Sequence, residues 1–173
     1  MKKADLAVLR FMRTRGHTPA VEKAAQLIAK SGENGYLWFG IGLAGAAFDP
    51  PRRRQWLYSA AIGPVAIVLN FGIKLVVKRP RPSLKGLPPL GGAPSSLSFP
   101  SAHATASFAA ATAMSKFAPE LKLALFGAAA TMAVTRPYLG MHYPSDVVAG
   151  GALGTVLGAA LPIPSSAGRT DEV

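Results

Sequence analysis

Three cations, two histidines and one carboxylate stand at the ends of runs that are otherwise almost free of ionisable groups. Lys74 and Arg81 bracket the close of one apolar run. Pro100-Ser101-Ala102-His103 opens the next, Thr135-Arg136 closes another, and His142 and Asp146 begin the last. Three fixed cations in one pocket match a multiply charged anion, and phosphate or pyrophosphate is the natural ligand. Arg81 and Arg136 can each fork onto two oxygens, and Lys74 adds a point charge. Ser101 and Ala102 follow Pro100 at a helix start, where free backbone N–H groups and the positive helix end favour an anion. Two imidazoles imply a division of labour, one attacking phosphorus and the other protonating the leaving oxygen. Asp146, one helical turn after His142, is placed to fix the ring's tautomer and to stabilise the cationic phosphoryl adduct.

Each block has a plainer reading when taken alone. Lys78, Arg79 and Arg81 form the basic flank that commonly follows a membrane span. His103 reads as a surface or capping residue, and His142 with Asp146 as a structural helix pair. Thr105 and Ser107 read as helix-packing residues, and His17, in a turn beside Gly16, takes no part. Three blocks in order, all arriving at one end of the apolar runs, are far more specific than any one of them.

Elements must carry these ends to one place. The chain has 173 residues, 19 Lys and Arg against 8 Asp and Glu, a net charge of +11, and 50% hydrophobic residues. A disordered chain is excluded by that apolar content. Only 16% of residues are charged, below the quarter usual in soluble domains, which points to Gly- and Ala-rich membrane helices. With no Cys, disulfides, thiolate metal sites and Cys nucleophiles are excluded. No cleavable signal is expected, because Arg10 and Arg13 interrupt the first apolar run.

Residues 3–15 and 19–31 read as short amphipathic helices with basic faces, suited to a solvated surface or an anionic membrane surface. Five spans are expected: a short one over 36–48, the clearest over 55–77, then 101–118, 121–139 and 146–162. Asn70 and Lys74 fall in the last turns of the second, where polar groups are costly and hence functional candidates. Tyr36, Trp38, Trp56 and Tyr58 are placed at interfaces. Residues 79–100, with six Pro and three Gly, form a loop too long for a plain connector. Residues 1–164 then make one membrane-embedded domain, and 165–173 a loose tail. Gly150, Gly154 and Gly158 give the last helix a smooth face, for packing inside the bundle or for a homodimer.

The blocks Lys74-(six residues)-Arg81-Pro82, Pro100-Ser101-Ala102-His103 and Thr135-Arg136-(five residues)-His142-(three residues)-Asp146 resemble the three-part signature of the type 2 phosphatidic acid phosphatase superfamily. The resemblance implies an all-α, integral-membrane helical bundle and hydrolysis through a phosphohistidine without a metal or other cofactor. It implies His142 as nucleophile, Asp146 as its partner, His103 as general acid, and Lys74, Arg81, Ser101, Ala102 and Arg136 as the phosphate cradle. Two positions depart from the pattern: Ala102 where the family has Gly, and Thr135 where it has Ser. Ala keeps its N–H for an oxyanion if φ is negative, and Thr keeps a hydroxyl on a stiffer side chain.

The short form, basic N-terminus and Pro-rich loop look similar to small actinobacterial members. One of these is implied to remove the 5-phosphate of decaprenylphosphoryl-5-phosphoribose in cell-wall arabinan synthesis. The partners implied are a polyprenyl-phosphate lipid and the plasma membrane. Undecaprenyl-pyrophosphate, phosphatidylglycerophosphate and phosphatidate are alternative substrates. A vanadate-using haloperoxidase, a lipid-phosphate binding or flipping protein, and a nucleic-acid binder are alternative classes; the apolar spans argue against the last. Ten of the 19 basic residues lie with the N-terminal region and the 78–85 loop and six on the opposite face, so the positive-inside rule places the site toward the cytoplasm. Arg52, Arg53 and Arg54 argue the other way.

Overall fold

Proline and glycine punctuate the chain into eight α-helices in a computed structural model that describes residues 2–92 and 95–164. The loose tail expected over 165–173 lies outside the described residues. Helices α1 (Lys2–Thr14) and α2 (Pro19–Ser31) come first. Thr18 caps α2, its hydroxyl accepting from Val21 N, and Pro19 takes the first position, where a missing N–H costs nothing. A 3₁₀ turn over Glu33–Gly35 reverses the chain through two left-handed residues, Asn34 and Gly35. Then follow α3 (Tyr36–Phe48), α4 (Arg53–Ala60), α5 (Ile62–Val77), α6 (Ala102–Ser115), α7 (Lys122–Tyr138) and α8 (Pro144–Ala160). The span expected over 55–77 is thus interrupted. Pro64 has no N–H for the Ala60 carbonyl and its ring crowds that oxygen, so α4 ends at Ala60 and α5 starts afresh.

Helix α6 is the axis of the bundle, packed by α5, α7 and α8. Its Ala-rich sequence explains this position, since small side chains let three neighbours approach at once. Helix α8 comes nearest. A Cβ on Gly150, Gly154 or Gly158 would lie 2.6, 2.2 or 2.4 Å from the carbonyl oxygens of Ser101, Thr105 and Ala109. The glycine face is therefore filled by α6 of the same chain and is closed to a second copy, which corrects the homodimer expectation for that face. Polar bonds tie the core across helices. Asn70 donates to Thr105 Oγ1 at 2.9 Å, and the Trp38 indole N–H to Ser107 Oγ at 2.8 Å. Trp38 and Trp56 are buried, not interfacial; Tyr36 and Tyr58 are exposed. An indole finds the core when an oxygen there accepts its N–H, as the buried Ser107 hydroxyl does for Trp38 and the half-buried Asp49 carboxylate for Trp56.

Large apolar side chains cover the outside of the bundle. Phe48, Val68, Val76, Leu123 and Val148 are all more than 70% exposed. A soluble surface rarely carries so extensive an apolar belt, and lipid is the medium that suits it. By length and composition, one helical run, Pro50–Val77, qualifies as a membrane span among the described residues. Helices α7 and α8, at 17 residues each, reach about 25 Å, short of a hydrocarbon core of about 30 Å.

Candidate active site

The C-terminal ends of α5 and α7 and the N-terminal ends of α6 and α8 meet at one end of the bundle. They enclose a cavity of about 610 Å³ lined by Lys74, Arg81, Ala102, His103, Arg136 and His142. Ser101 and Asp146 are fully buried beside it. The sequence-predicted residues thus come together, drawn by helix ends that share a single boundary.

His142 lies in the turn between α7 and α8 and is 2% exposed. Its Nε2 is 3.1 Å from Arg81 Nη1, and its Nδ1 is 3.6 Å from Asp146 Oδ2. A guanidinium can only donate, so Nε2 holds the lone pair and the ring proton sits on Nδ1, toward the carboxylate. That tautomer presents a nucleophilic nitrogen among the cations. Burial pushes the imidazole down to about 4; the hydrogen-bonding influence of Asp146 opposes this, and the charges of Arg81, Arg136 and Lys74 add to it. The ring is therefore neutral at physiological pH, with its lone pair on Nε2.

Asp146 is held by other groups. Its Oδ2 accepts from Tyr143 N at 2.9 Å, closing the first turn of α8, and its Oδ1 accepts from Arg79 at 2.7 Å. The 3.6 Å to His142 is longer than a hydrogen bond. Arg79 also donates to Asp5 on α1 at 2.9 Å and lies 4.0 Å over the Tyr143 ring. Asp5 in turn accepts from Ser145 N and from the Ser145 hydroxyl. Sequence reasoning missed Asp5 and Ser145 and read Arg79 as a basic flank. The available signal was Asp5 itself, the one acid before Glu22 in a strongly basic stretch.

The three cations differ. Arg136 is 5% exposed, lines the cavity, and its Nε has no acceptor among the described residues. A desolvated guanidinium in that condition calls for an anion. Arg81 donates to the carbonyls of Ser95 and Met141, which aims its remaining edge; burial lowers its pKa, and Asp146 offsets part of that. Lys74 donates to the carbonyls of Leu97, Ser98 and Pro100, the last at 2.8 Å. Its three protons are committed to the loop, so it contributes charge to the cavity and anchors the segment leading to α6.

Ser101 N donates to Asp146 O at 3.0 Å and is not free for an anion, which corrects the expectation for that N–H. Its hydroxyl is buried with no partner among the described residues. Ala102 is helical with negative φ, so its N–H, with those of the rest of the first turn, points off the helix end without an intrahelical acceptor. Thr135 donates its hydroxyl to Met132 O at 2.7 Å within α7. His103 Nε2 is 2.9 Å from Ala29 O on α2. A carbonyl only accepts, so Nε2 carries the proton and Nδ1 is the nitrogen left for chemistry.

The loop over 79–100 is stitched at its neck by Ser98 N to Arg79 O at 2.8 Å and Arg81 N to Ser96 O at 3.1 Å. Gly92 and Ser95 reach the cavity from it. On the other side Ile67, Val68 and Phe71 of α5 line the same cavity, and Val68 and Phe71 are exposed on the outer belt. The cationic pocket thus opens onto an apolar flank.

Comparison with known proteins agrees with this geometry. The family model described as PAP2 superfamily matches residues 55–164. The chain is 41% identical over 141 residues to the decaprenylphosphoryl-5-phosphoribose phosphatase of Mycobacterium tuberculosis H37Rv, covering 82% of this chain and 78% of that protein. It is 40% identical over 132 residues to the protein of the same name from Mycolicibacterium smegmatis, covering 76% and 72%. The crystal structure of Aquifex aeolicus LpxE superposes with a TM-score of 0.71 at 25% identity, covering 89% of this chain and 92% of that one. A helical bundle that gathers its signature residues around one cavity, and a match to the family model over most of the chain, place this protein in the PAP2 superfamily.

Proposed function

We propose that the protein is an integral-membrane lipid phosphatase that removes the 5-phosphate from decaprenylphosphoryl-5-phosphoribose. The observation that carries the chemistry is the His142 ring, neutral and turned so that its Nε2 lone pair meets Arg81 at 3.1 Å inside the cationic cavity. Arg136 and Arg81 hold the phosphate oxygens, with the first-turn N–H groups of α6 beside them and Lys74 adding charge. His142 Nε2 attacks phosphorus, the P–O ester bond breaks, and the leaving alkoxide takes a proton from His103 Nδ1. Delivery from Nδ1 requires a second proton on the ring, because Nε2–H is already given to Ala29, and a substrate phosphate entering as its monoanion brings that proton. Asp146 stabilises the cationic phosphohistidine. Water, giving a proton back to His103, then cleaves the N–P bond and releases phosphate.

The substrate class is supported by the names of the mycobacterial relatives and by the apolar mouth at Ile67, Val68 and Phe71, which suits a lipid tail lying in the bilayer. Helices α3, α4–α5, α6, α7 and α8 act as five passes, with the site on the side carrying more cations, the cytoplasmic one.

The test is phosphate release by purified protein in detergent from a panel: the phosphoribosyl polyprenyl lipid, undecaprenyl pyrophosphate, phosphatidylglycerophosphate and phosphatidate. Release should be greatest from the first and resist chelator. His142→Ala should lower kcat by about 10⁴-fold or more with an unchanged melting midpoint. Binding of the lipid with no release from any of the four would favour a binding or flipping protein.

A further inference from the structure

Arg79 and Asp5 lie outside the signature, yet they are wired to its carboxylate. Arg79 Nη1 donates to Asp146 Oδ1 at 2.7 Å and to Ser145 Oγ at 2.8 Å, while Nη2 donates to Asp5 Oδ2 at 2.9 Å. The two carboxylates thus share one guanidinium, each on its own nitrogen, across 141 positions of sequence. Asp5 is 7% exposed and Asp146 fully buried. Burial lowers the pKa of Arg79, but the hydrogen bond to Asp5 and the charges of both acids outweigh it and hold it raised. Burial likewise raises Asp5, and Ser145 and Arg79 outweigh it.

We propose that Arg79, oriented by Asp5 of α1, is a positioning residue that fixes the Asp146 carboxylate for His142. The inference rests on the assignment of His142 and Asp146 as the catalytic pair. Asp146 has two oxygens to place. Tyr143 N holds Oδ2 on the His142 side, and Arg79 holds Oδ1 on the far side. The carboxylate plane is thereby set, with Oδ2 turned to Nδ1 at 3.6 Å, a gap that closes when the ring becomes cationic. Without Arg79, a fully buried carboxylate keeps one backbone donor, loses its nearest cation and is free to turn. Turning takes Oδ2 away from the ring nitrogen that the proposed phosphohistidine sets against it. Asp5 does to Arg79 what Arg79 does to Asp146. Helix α1 supplies it because Asp5, Leu9 and Arg13 share one buried stripe, while Leu6, Val8 and Phe11 face outward.

Arg79→Gln, Arg79→Lys, Asp5→Asn and the Asp5→Asn/Arg79→Gln double variant decide the matter, assayed on decaprenylphosphoryl-5-phosphoribose in detergent micelles beside wild type and His142→Ala. Arg79→Gln should lower kcat roughly 10- to 100-fold with KM unchanged, the loss usual when an orienting partner is removed. Arg79→Lys should restore part of it. Asp5→Asn should cost less, and nothing further in the Arg79→Gln background. Unchanged kcat in Arg79→Gln or in Asp5→Asn, a loss that merely tracks a lowered melting midpoint, or full additivity in the double variant would overturn the proposal. Asp5→Asn keeps the shape and an oxygen to accept from Ser145 N, so it reports even where Arg79→Gln folds poorly. Turnover surviving His142→Ala removes the catalytic assignment along with this inference; turnover lost in His142→Ala but full in Arg79→Gln removes this inference alone.

Discussion

The two imidazoles of the cavity are held by opposite means. His142 sits in a shell of ionised groups from several elements: Arg81 at its Nε2, Asp146 facing its Nδ1, and Arg79 and Asp5 behind the carboxylate. His103 is tied by one neutral bond, to the Ala29 carbonyl at the end of α2. The contrast fits the proposed division of labour: a nucleophile that becomes a cation gains from a fixed anion nearby, whereas the proposed acid has its orientation set by the Ala29 dipole. Both holds also draw on residues ahead of the family match over 55–164: Asp5 for one ring, Ala29 for the other. The cavity residues reside in the shared bundle, and contacts behind both rings come from the two leading helices.

The largest effect that tests this contrast is at His103 itself. His103→Gln should lower kcat on the lipid phosphate by about 10²- to 10⁴-fold, the range for loss of a general acid. The loss should be far smaller on p-nitrophenyl phosphate, whose leaving group departs without a proton. His142→Ala should abolish both. Equal losses on the two substrates in His103→Gln would mean that the ring only binds phosphate, and the division of labour would fail.

A smaller effect is expected where α2 holds the acid. A Cβ on Gly32 would lie 2.6 Å from Met132 Sδ and Cε and 3.1 Å from His103 Cδ2. Met132 is fully buried and has little room to retreat, so Gly32→Ala should tilt the His103 ring. The expected outcome is a loss in kcat of roughly tenfold or less on the lipid, little change on p-nitrophenyl phosphate, and unchanged KM. Wild-type kcat in this variant would show that α6 alone sets the acid and that the Ala29 bond is incidental.

The convergence of the site was legible because the chemistry-bearing residues sit at helix ends with fixed spacing. The order of apolar runs then dictates which ends meet, and Lys74, Arg81, His103, Arg136 and His142 do line one cavity. What each polar atom bonds was not legible. Lys74 reads as a phosphate ligand, but its donors go to Leu97, Ser98 and Pro100, because the loop returns carbonyls to the end of α5. Arg79 reads as a membrane flank until Asp5 is seen to arrive from α1, and no local pattern predicts a pairing across 74 positions. Pro64 carried a readable signal that its apolar surroundings masked. The glycine stripe of α8 was legible as a close-packing face, and only the structure shows α6 filling it.

The finest test concerns proton affinity at the His142 end. Arg81, Arg136 and Lys74 face the ring with their charges, and Asp146 opposes them. Burial is the main cause, the cations add to it, and the folded imidazole is pushed down to about 4 against about 6.5 for an exposed one. The unfolded chain therefore binds that proton first. The stability held by neutral His142 is whole above about pH 6.5 and is lost as pH falls toward 4. Thermal midpoints in detergent, compared between wild type and His142→Asn from pH 7.5 to 4.5, isolate this titration, because Asn cannot take up the proton. The wild-type midpoint should fall relative to the variant by a few degrees across that interval. A difference that instead shifts in favour of wild type at low pH would mean that Asp146 outweighs the three cations and holds the ring as an imidazolium. Nε2 would then have no lone pair at rest, and the shell around His142 would be a stabilising ion pair with no nucleophile in it.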